Sequence, residues 1–173
     1  IPEKCFHHCT SLTEIDISKA LFIKDSAFLK CYSLSVSTIP AYAYVEACAF
    51  SETGVTDVTI EDISKIGKRV FAECNSLKKL TINVTNGLAA AYGLSVPEEL
   101  VCECRNLQTV VFTGHTEKLS SIKKAAFKDT EMLTEISLPD NIRLIEEYAF
   151  YNSSIKDIRL PESLEQVDNY AFS

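Results

Sequence analysis

The sequence predicts a solenoid of α/β type, with a parallel β-sheet on one face and short strand, turn or 3-10 segments on the other. Three observations lead there. A phenylalanine recurs at a spacing of 21 to 23 residues, a β-branched aliphatic stands five residues before it, and a Leu-x-x-Ile-x-Leu string follows it. Self-similarity at a period of about 20 to 50 residues is the signature of stacked repeats.

The anchor column sets the beat. Phe6, Phe28, Phe50 and Phe71 keep it, Phe127, Phe150 and Phe172 resume it, and Val101 holds the place between them. Five residues earlier stand Ile1, Ile23, Val45, Ile66, Val96, Ile122, Ile145 and Val167. The residue just before the anchor is Cys5, Ala27, Ala49, Val70, Leu100, Ala126, Ala149 or Ala171, apolar throughout. Three columns in register imply a single domain over residues 1–173, built of about eight repeats with the first and last incomplete.

The segment after the anchor supplies the strands. Cys9, Cys31, Cys74 and Cys104 lie three residues beyond it. The string then reads Leu12-Ile15-Ile17, Val55-Val58-Ile60, Leu77-Leu80-Ile82, Leu107-Val110-Phe112, Leu133-Ile136-Leu138 and Ile155-Ile158-Leu160. Repeat two, from Leu34 to Ile39, is irregular, with Val36 out of register. Apolar–polar alternation marks a half-buried strand. Pro40, Pro139 and Pro161 close three of these strands, where a missing N–H does no harm. One unit cannot bury its own apolar face, so neighbours must stack and align their anchors in a continuous core.

Composition narrows the function classes. The 173 residues carry a net charge of −7, whereas nucleic acid and anionic membranes call for a basic stripe. No run approaches the roughly 18 apolar residues of a membrane span. The chain opens on Ile-Pro with no visible signal peptide. Seven cysteines are an odd number, so one thiol at least stays unpaired within a monomer.

The assembled consensus, Cys-x-x-Leu-x-x-Ile-x-Leu-Pro followed by Leu/Ile-x-x-Ile-x-x-x-Ala-Phe, resembles the BspA-like, or Treponema-type, leucine-rich repeat. Residues 9–12 (Cys-Thr-Ser-Leu), 137–139 (Ser-Leu-Pro) and 145–150 (Ile-Glu-Glu-Tyr-Ala-Phe) carry the resemblance most closely. It implies a right-handed horseshoe or arc, a cell-surface or extracellular setting, and binding of host proteins or other cells without catalysis. The pattern is broken by about eight extra residues centred on 83–95 and by a late Phe127 after Thr113 to Lys118. Such insertions map to loops on one face of a solenoid. Both ends stop inside a repeat, and solenoids need polar terminal caps, so the chain is expected to be an excerpt of a longer protein.

Several motifs invite chemistry and are absorbed by the repeat. Cys5-Phe6-His7-His8-Cys9 has zinc-ligand residue types, yet Cys5 occupies the small apolar slot and Cys9 the recurrent cysteine slot. Cys102-Glu103-Cys104 has Cys-x-Cys spacing and not the redox Cys-x-x-Cys. The histidines are His7, His8 and His115 only, too few and too scattered for a hydrolase triad. No phosphate loop or zinc-protease motif occurs, so neither a metal nor a cofactor is expected. Two sequons, at Asn83 and Asn152, matter only in a eukaryotic source.

The exposed face of the strands is the candidate working surface. Two residues past each leading aliphatic come Glu14, Val36, Asp57, Lys79, Thr109, Glu135 and Asp157. Four past it come Asp16, Thr38, Thr59, Thr81, Val111, Ser137 and Arg159. If stacked, these form one acidic and one hydroxyl-rich column, in which Lys79 and Thr109 relieve like-charge repulsion across strands. The expectation is a non-enzymatic interaction or adhesion module binding a protein, possibly of a host, or a glycan. The alternative is a structural spacer or stalk that displays another domain.

Overall fold

The computed structural model describes residues 1–86 and 93–173. All strand pairing in it is parallel. The larger sheet orders β2 (Thr38–Ile39), β4 (Asp57–Ile60), β5 (Lys79–Val84), β7 (Thr109–Gly114) and β9 (Glu135–Ile136), all from the Leu-x-x-Ile-x-Leu strings. A second sheet is built from the β-branched column. It runs β6 (Leu94–Val96), β8 (Leu119–Ile122), β10 (Leu144–Ile145) and β11 (Gln166–Val167), with β1 (Phe22–Ile23) and β3 (Tyr44–Val45) as a separate pair. Two 3-10 turns, Ile63–Lys65 and Thr116–Lys118, complete the regular structure, and no α-helix occurs among the described residues. The expected α/β-type solenoid is therefore corrected to a β-solenoid. The β-branched aliphatics supply the reason, because they favour a pleated strand where helical residues would be needed to cover the second face.

The two sheets close on one core. Phe28, Phe50, Phe71, Phe127 and Phe150 are fully buried, and Val101 is buried in the gap between the two phenylalanine runs. Their rings stack like coins: Phe6 on Phe28 at 5.3 Å, Phe28 on Phe50 at 5.0 Å and Phe50 on Phe71 at 5.5 Å. The stack resumes at 5.1 Å for Phe127 on Phe150 and for Phe150 on Phe172. Burying one such side chain contributes roughly 1.5–3 kcal/mol.

The turn that holds each anchor has a backbone no propensity scale would suggest. Residues two before and two after the anchor take positive φ, from Lys4 and His8 through Ala125 and Asp129 to Tyr170, and none of these fifteen is glycine. A left-handed residue of this kind costs roughly 1–2 kcal/mol. The cost is offset because the conformation aims its N–H groups at the next repeat. Ser26, Phe28 and Lys30 donate to the carbonyls of Ala47, Ala49 and Ser51 at 3.0, 2.9 and 3.1 Å, and the same trio recurs along the chain. Along the sheets further bonds run from a later N–H to an earlier carbonyl, as in Thr59 to Ser37. Each coil is thus bonded to its neighbour in both senses, which leaves few unmatched peptide groups in a buried turn.

Salt bridges reinforce the stacking. Glu46 accepts from the Lys24 ammonium at 2.5 Å and from the Asp25 N–H at 3.1 Å. Glu146 repeats this with Lys123 and the Lys124 N–H at 2.8 and 2.9 Å. The Lys24 hydrogen bond holds the Glu46 carboxyl below its ordinary range.

Candidate functional site

The register of the larger sheet decides which face residues meet. Asp57, Lys79, Thr109 and Glu135 are direct cross-strand neighbours, as are Thr38, Thr59, Thr81 and Val111. Between them the strands send Val58, Leu80, Ile82 and Val110 into the core. Thr109 donates its hydroxyl to the Glu135 carboxylate at 3.1 Å, tying the first column together at its far end. A third row continues it, where Thr113 donates to the Asn83 amide oxygen at 3.3 Å and Asn83 donates to the Glu61 carbonyl at 3.2 Å.

Not every expected member joins these columns. Residues 14–17 and 155–160 form no strand, so Glu14, Asp16, Asp157 and Arg159 flank the sheet without being paired into it. Ser137 lies one residue past the end of β9 and is exposed. Val36, placed by spacing on the outer face, is buried at 6 % exposure. Ser37 stands where the other repeats carry an inward aliphatic but is itself exposed, and Val36 turns in to cover the core instead.

Where repeat two departs from the pattern, the sheet opens. A Ser35 N–H to Thr13 carbonyl bond of 2.9 Å joins repeats one and two. Past it, no backbone bond links residues 14–18 to 36–40 among the described residues. Pro40 has no N–H to offer, and the result is an open groove of about 710 Å³ floored by Ile15, Ile17 and Val36. A second groove, of about 430 Å³, opens between β7 and β9, where β9 ends at Ile136.

Three of the seven cysteines settle into a hydrogen-bonded column. Cys31, Cys74 and Cys104 donate their thiols to the anchor carbonyls of the preceding repeats, Phe6, Phe50 and Phe71, at 2.9, 3.1 and 3.0 Å. Thr130 fills the same slot in its repeat and donates to Phe127 at 2.7 Å. Burial raises the Cys31 thiol, and burial beside Cys74 raises Cys104 well above the ordinary range. Cys102, the extra thiol, is pushed up to about 11, chiefly by burial. Such thiols are poor nucleophiles and poor metal ligands. The His7 and His8 rings lie 4.5 Å apart, and no set of three His, Cys, Asp or Glu residues gathers into a metal site among the described residues. His115 pairs with Glu117 at 3.0 Å, both exposed. Of the 83–95 insertion, residues 87–92 lie outside the described residues.

Comparison with known proteins follows the same pattern. The BspA type leucine rich repeat region matches in six copies, over residues 1–91 and 94–173. The chain belongs to the BspA-type leucine-rich repeat family. A leucine-rich repeat protein of Bacteroides ovatus is 25% identical, with a TM-score of 0.68 over 92% of this chain and 46% of its own. One from Eubacterium ventriosum is 23% identical, with a TM-score of 0.74 over 94% of this chain and 42% of its own. This BspA-type chain thus spans less than half the length of both. No curated protein matches the sequence. Within the described residues, no helix is long and apolar enough to cross a membrane.

The BspA-type pattern made the face columns legible, but not the grooves. Ser37 and Pro40 carry the signal for the first groove, the missing aliphatic and the missing donor side by side. The exposed aromatics Phe22 and Tyr44, stacked at 5.6 Å on the β1–β3 pair, are not legible in the sequence because their column holds no repeat consensus.

Proposed function

We propose that this chain is a non-enzymatic interaction module of a cell-surface or secreted protein, engaging a protein or glycan partner through the exposed face of its larger sheet. It is a single domain of about eight repeats, coiled right-handed as parallel crossovers almost always are. The observation that carries the reading is the register of Asp57, Lys79, Thr109 and Glu135 beside Thr59, Thr81 and Val111. Six polar side chains and Val111, from four separate strands, form one continuous surface on a paired backbone. The ladder already fixes the spacing of these side chains, so the backbone loses little entropy on binding and a modest set can act together. The surface or extracellular setting rests on the family resemblance.

The test is an array of purified extracellular-matrix proteins and oligosaccharides probed with the chain and with an Asp57→Ala/Lys79→Ala/Glu135→Ala variant. Binding that the wild type shows and the variant loses, with the circular dichroism unchanged, supports the face. Equal binding by both sinks it.

A spacer or stalk is the second reading, favoured by one observation, that the two solved relatives are more than twice as long as the matched segment. Exchanging residues 1–173 for an unrelated solenoid of equal length within a full-length protein separates the two. A stalk survives the exchange and a binding module does not.

A further inference from the structure

The groove between repeats one and two differs in chemistry from the rest of the face. Its rim carries Glu14, Asp16, Ser18, Ser35, Ser37 and Thr38, with Tyr42 at one end and an aliphatic floor beneath. All seven of these are exposed. Among the described residues, no lysine, arginine or histidine lines it. At about 710 Å³ it falls within the roughly 300–1,000 Å³ of small-ligand clefts.

We propose that this groove is a subsite for a neutral polysaccharide lying across the strands, resting on the reading of the sheet face as the binding surface. Four hydroxyls and two carboxylates suit a ligand made of vicinal hydroxyl groups. A carboxylate accepts from two of them at once, and Ser and Thr hydroxyls both donate and accept. Asp16 is held for this work, since the Ser18 N–H donates to its Oδ1 at 2.8 Å and fixes the carboxylate's direction. Tyr42, 47 % exposed, offers an apolar ring face to the C–H side of a sugar and a hydroxyl at its tip. The absence of any lining cation disfavours a sulfated or uronic polymer, which would bring uncompensated anions against Glu14 and Asp16.

The groove also opens onto a ladder of matching chemistry. Thr38 is the cross-strand neighbour of Thr59, and Thr59 of Thr81. Adjacent strands lie about 4.7–4.9 Å apart, close to the length of one pyranose ring. A glycan chain running from the groove across β2, β4 and β5 therefore meets one hydroxyl per sugar. A basic peptide would use the two carboxylates and leave the hydroxyl ladder idle.

Isothermal titration of the whole chain decides this, with cellohexaose, maltohexaose, mannohexaose and laminarihexaose as neutral probes. A heparin hexasaccharide and a Lys/Arg decapeptide are the charged ones. The expected result is binding of at least one neutral hexaose, weakened about tenfold or more by Tyr42→Ala and by Asp16→Ala, and retained by Tyr42→Phe. Circular dichroism of each variant guards against misfolding, and Tyr42→Phe keeps the ring in place if Tyr42→Ala unfolds. Binding of no neutral hexaose, or binding of the heparin fragment or the peptide alone, overturns the proposal. So does neutral binding that falls with Thr81→Ala and Glu135→Ala while Asp16→Ala and Tyr42→Ala leave it intact. In that last case the sheet-face reading stands and only the groove assignment fails.

Discussion

Replacing Phe50 with alanine removes the middle of the longer aromatic stack. The ring is fully buried and lies 5.0 Å from Phe28 and 5.5 Å from Phe71, nearly parallel to both. Burial of the side chain contributes about 1.5–3 kcal/mol, and each stacked pair adds about 0.5–1.5 kcal/mol beyond it. The site is enclosed by neighbouring repeats and cannot collapse easily, so the loss falls near about 4 kcal/mol, within the range of buried Phe→Ala changes. Phe172 is the internal control. It has one stacking partner, Phe150, and is 39 % exposed, so Phe172→Ala costs about 1–1.5 kcal/mol by the same principles. Urea titration followed by far-ultraviolet circular dichroism measures both. Hydrogen exchange shows whether the damage stays near repeats two to four, as nearest-neighbour stacking requires. A Phe50→Ala loss under about 1 kcal/mol, or a Phe172→Ala loss as large, would refute the stack as the main source of stability.

Three further predictions concern the backbone and the thiols. Ala125 sits at φ 52 with no side chain beyond Cβ, so Ala125→Gly raises the urea midpoint slightly while Ala125→Val lowers it, a β-branched residue being an outlier there; a Val variant as stable as wild type contradicts the strain. Gly114 has φ 77, and a Cβ there would lie 2.5 Å from the Val84 carbonyl oxygen, so Gly114→Ala destabilises the β5–β7 end by about 1–3 kcal/mol, read from exchange of residues 82–84. Burial pushes Cys102 up to about 11, above the roughly 8.5 of a free thiol. The folded state then holds this proton longer, so the contribution is complete below about pH 8.5 and fades as pH rises toward 11. Urea midpoints across that window fall more steeply in the wild type than in Cys102→Ala, and equal slopes would count against the buried thiol.

How much of this is readable from the sequence depends on what each residue answers to. The anchors, the β-branched column and the cysteine slot are packing positions, where burial selects residue type strongly, and all three are where the spacing puts them. The face register is legible for the same reason, since Leu80, Val58 and Val110 must point inward and so fix Lys79, Asp57 and Thr109 outward. The left-handed turns are not legible. Positions such as Glu52, Arg69 and Tyr148 carry no glycine, because hydrogen bonds to the next repeat, not local preference, select the conformation. The split of the second sheet is hidden too. It follows from the Ile63–Lys65 turn, capped by Asp62, which stands where a strand would continue and leaves Val45 and Ile66 joined by a single bridge. Burial would raise the Asp62 carboxyl, but bonds from Lys65 and Ser64 outweigh it and hold it low.

The central claim is that the outer face of the larger sheet meets the partner. Amide chemical-shift mapping with an isotope-labelled chain and any protein or oligosaccharide retained on the array tests it most directly. The account predicts that the largest shifts gather on residues 57–61, 79–83, 109–113 and 135–137, extending to 14–18 and 35–42 if the ligand is a neutral glycan. Shifts confined to the anchor turns or to the second sheet, around residues 144–152 for example, would contradict it.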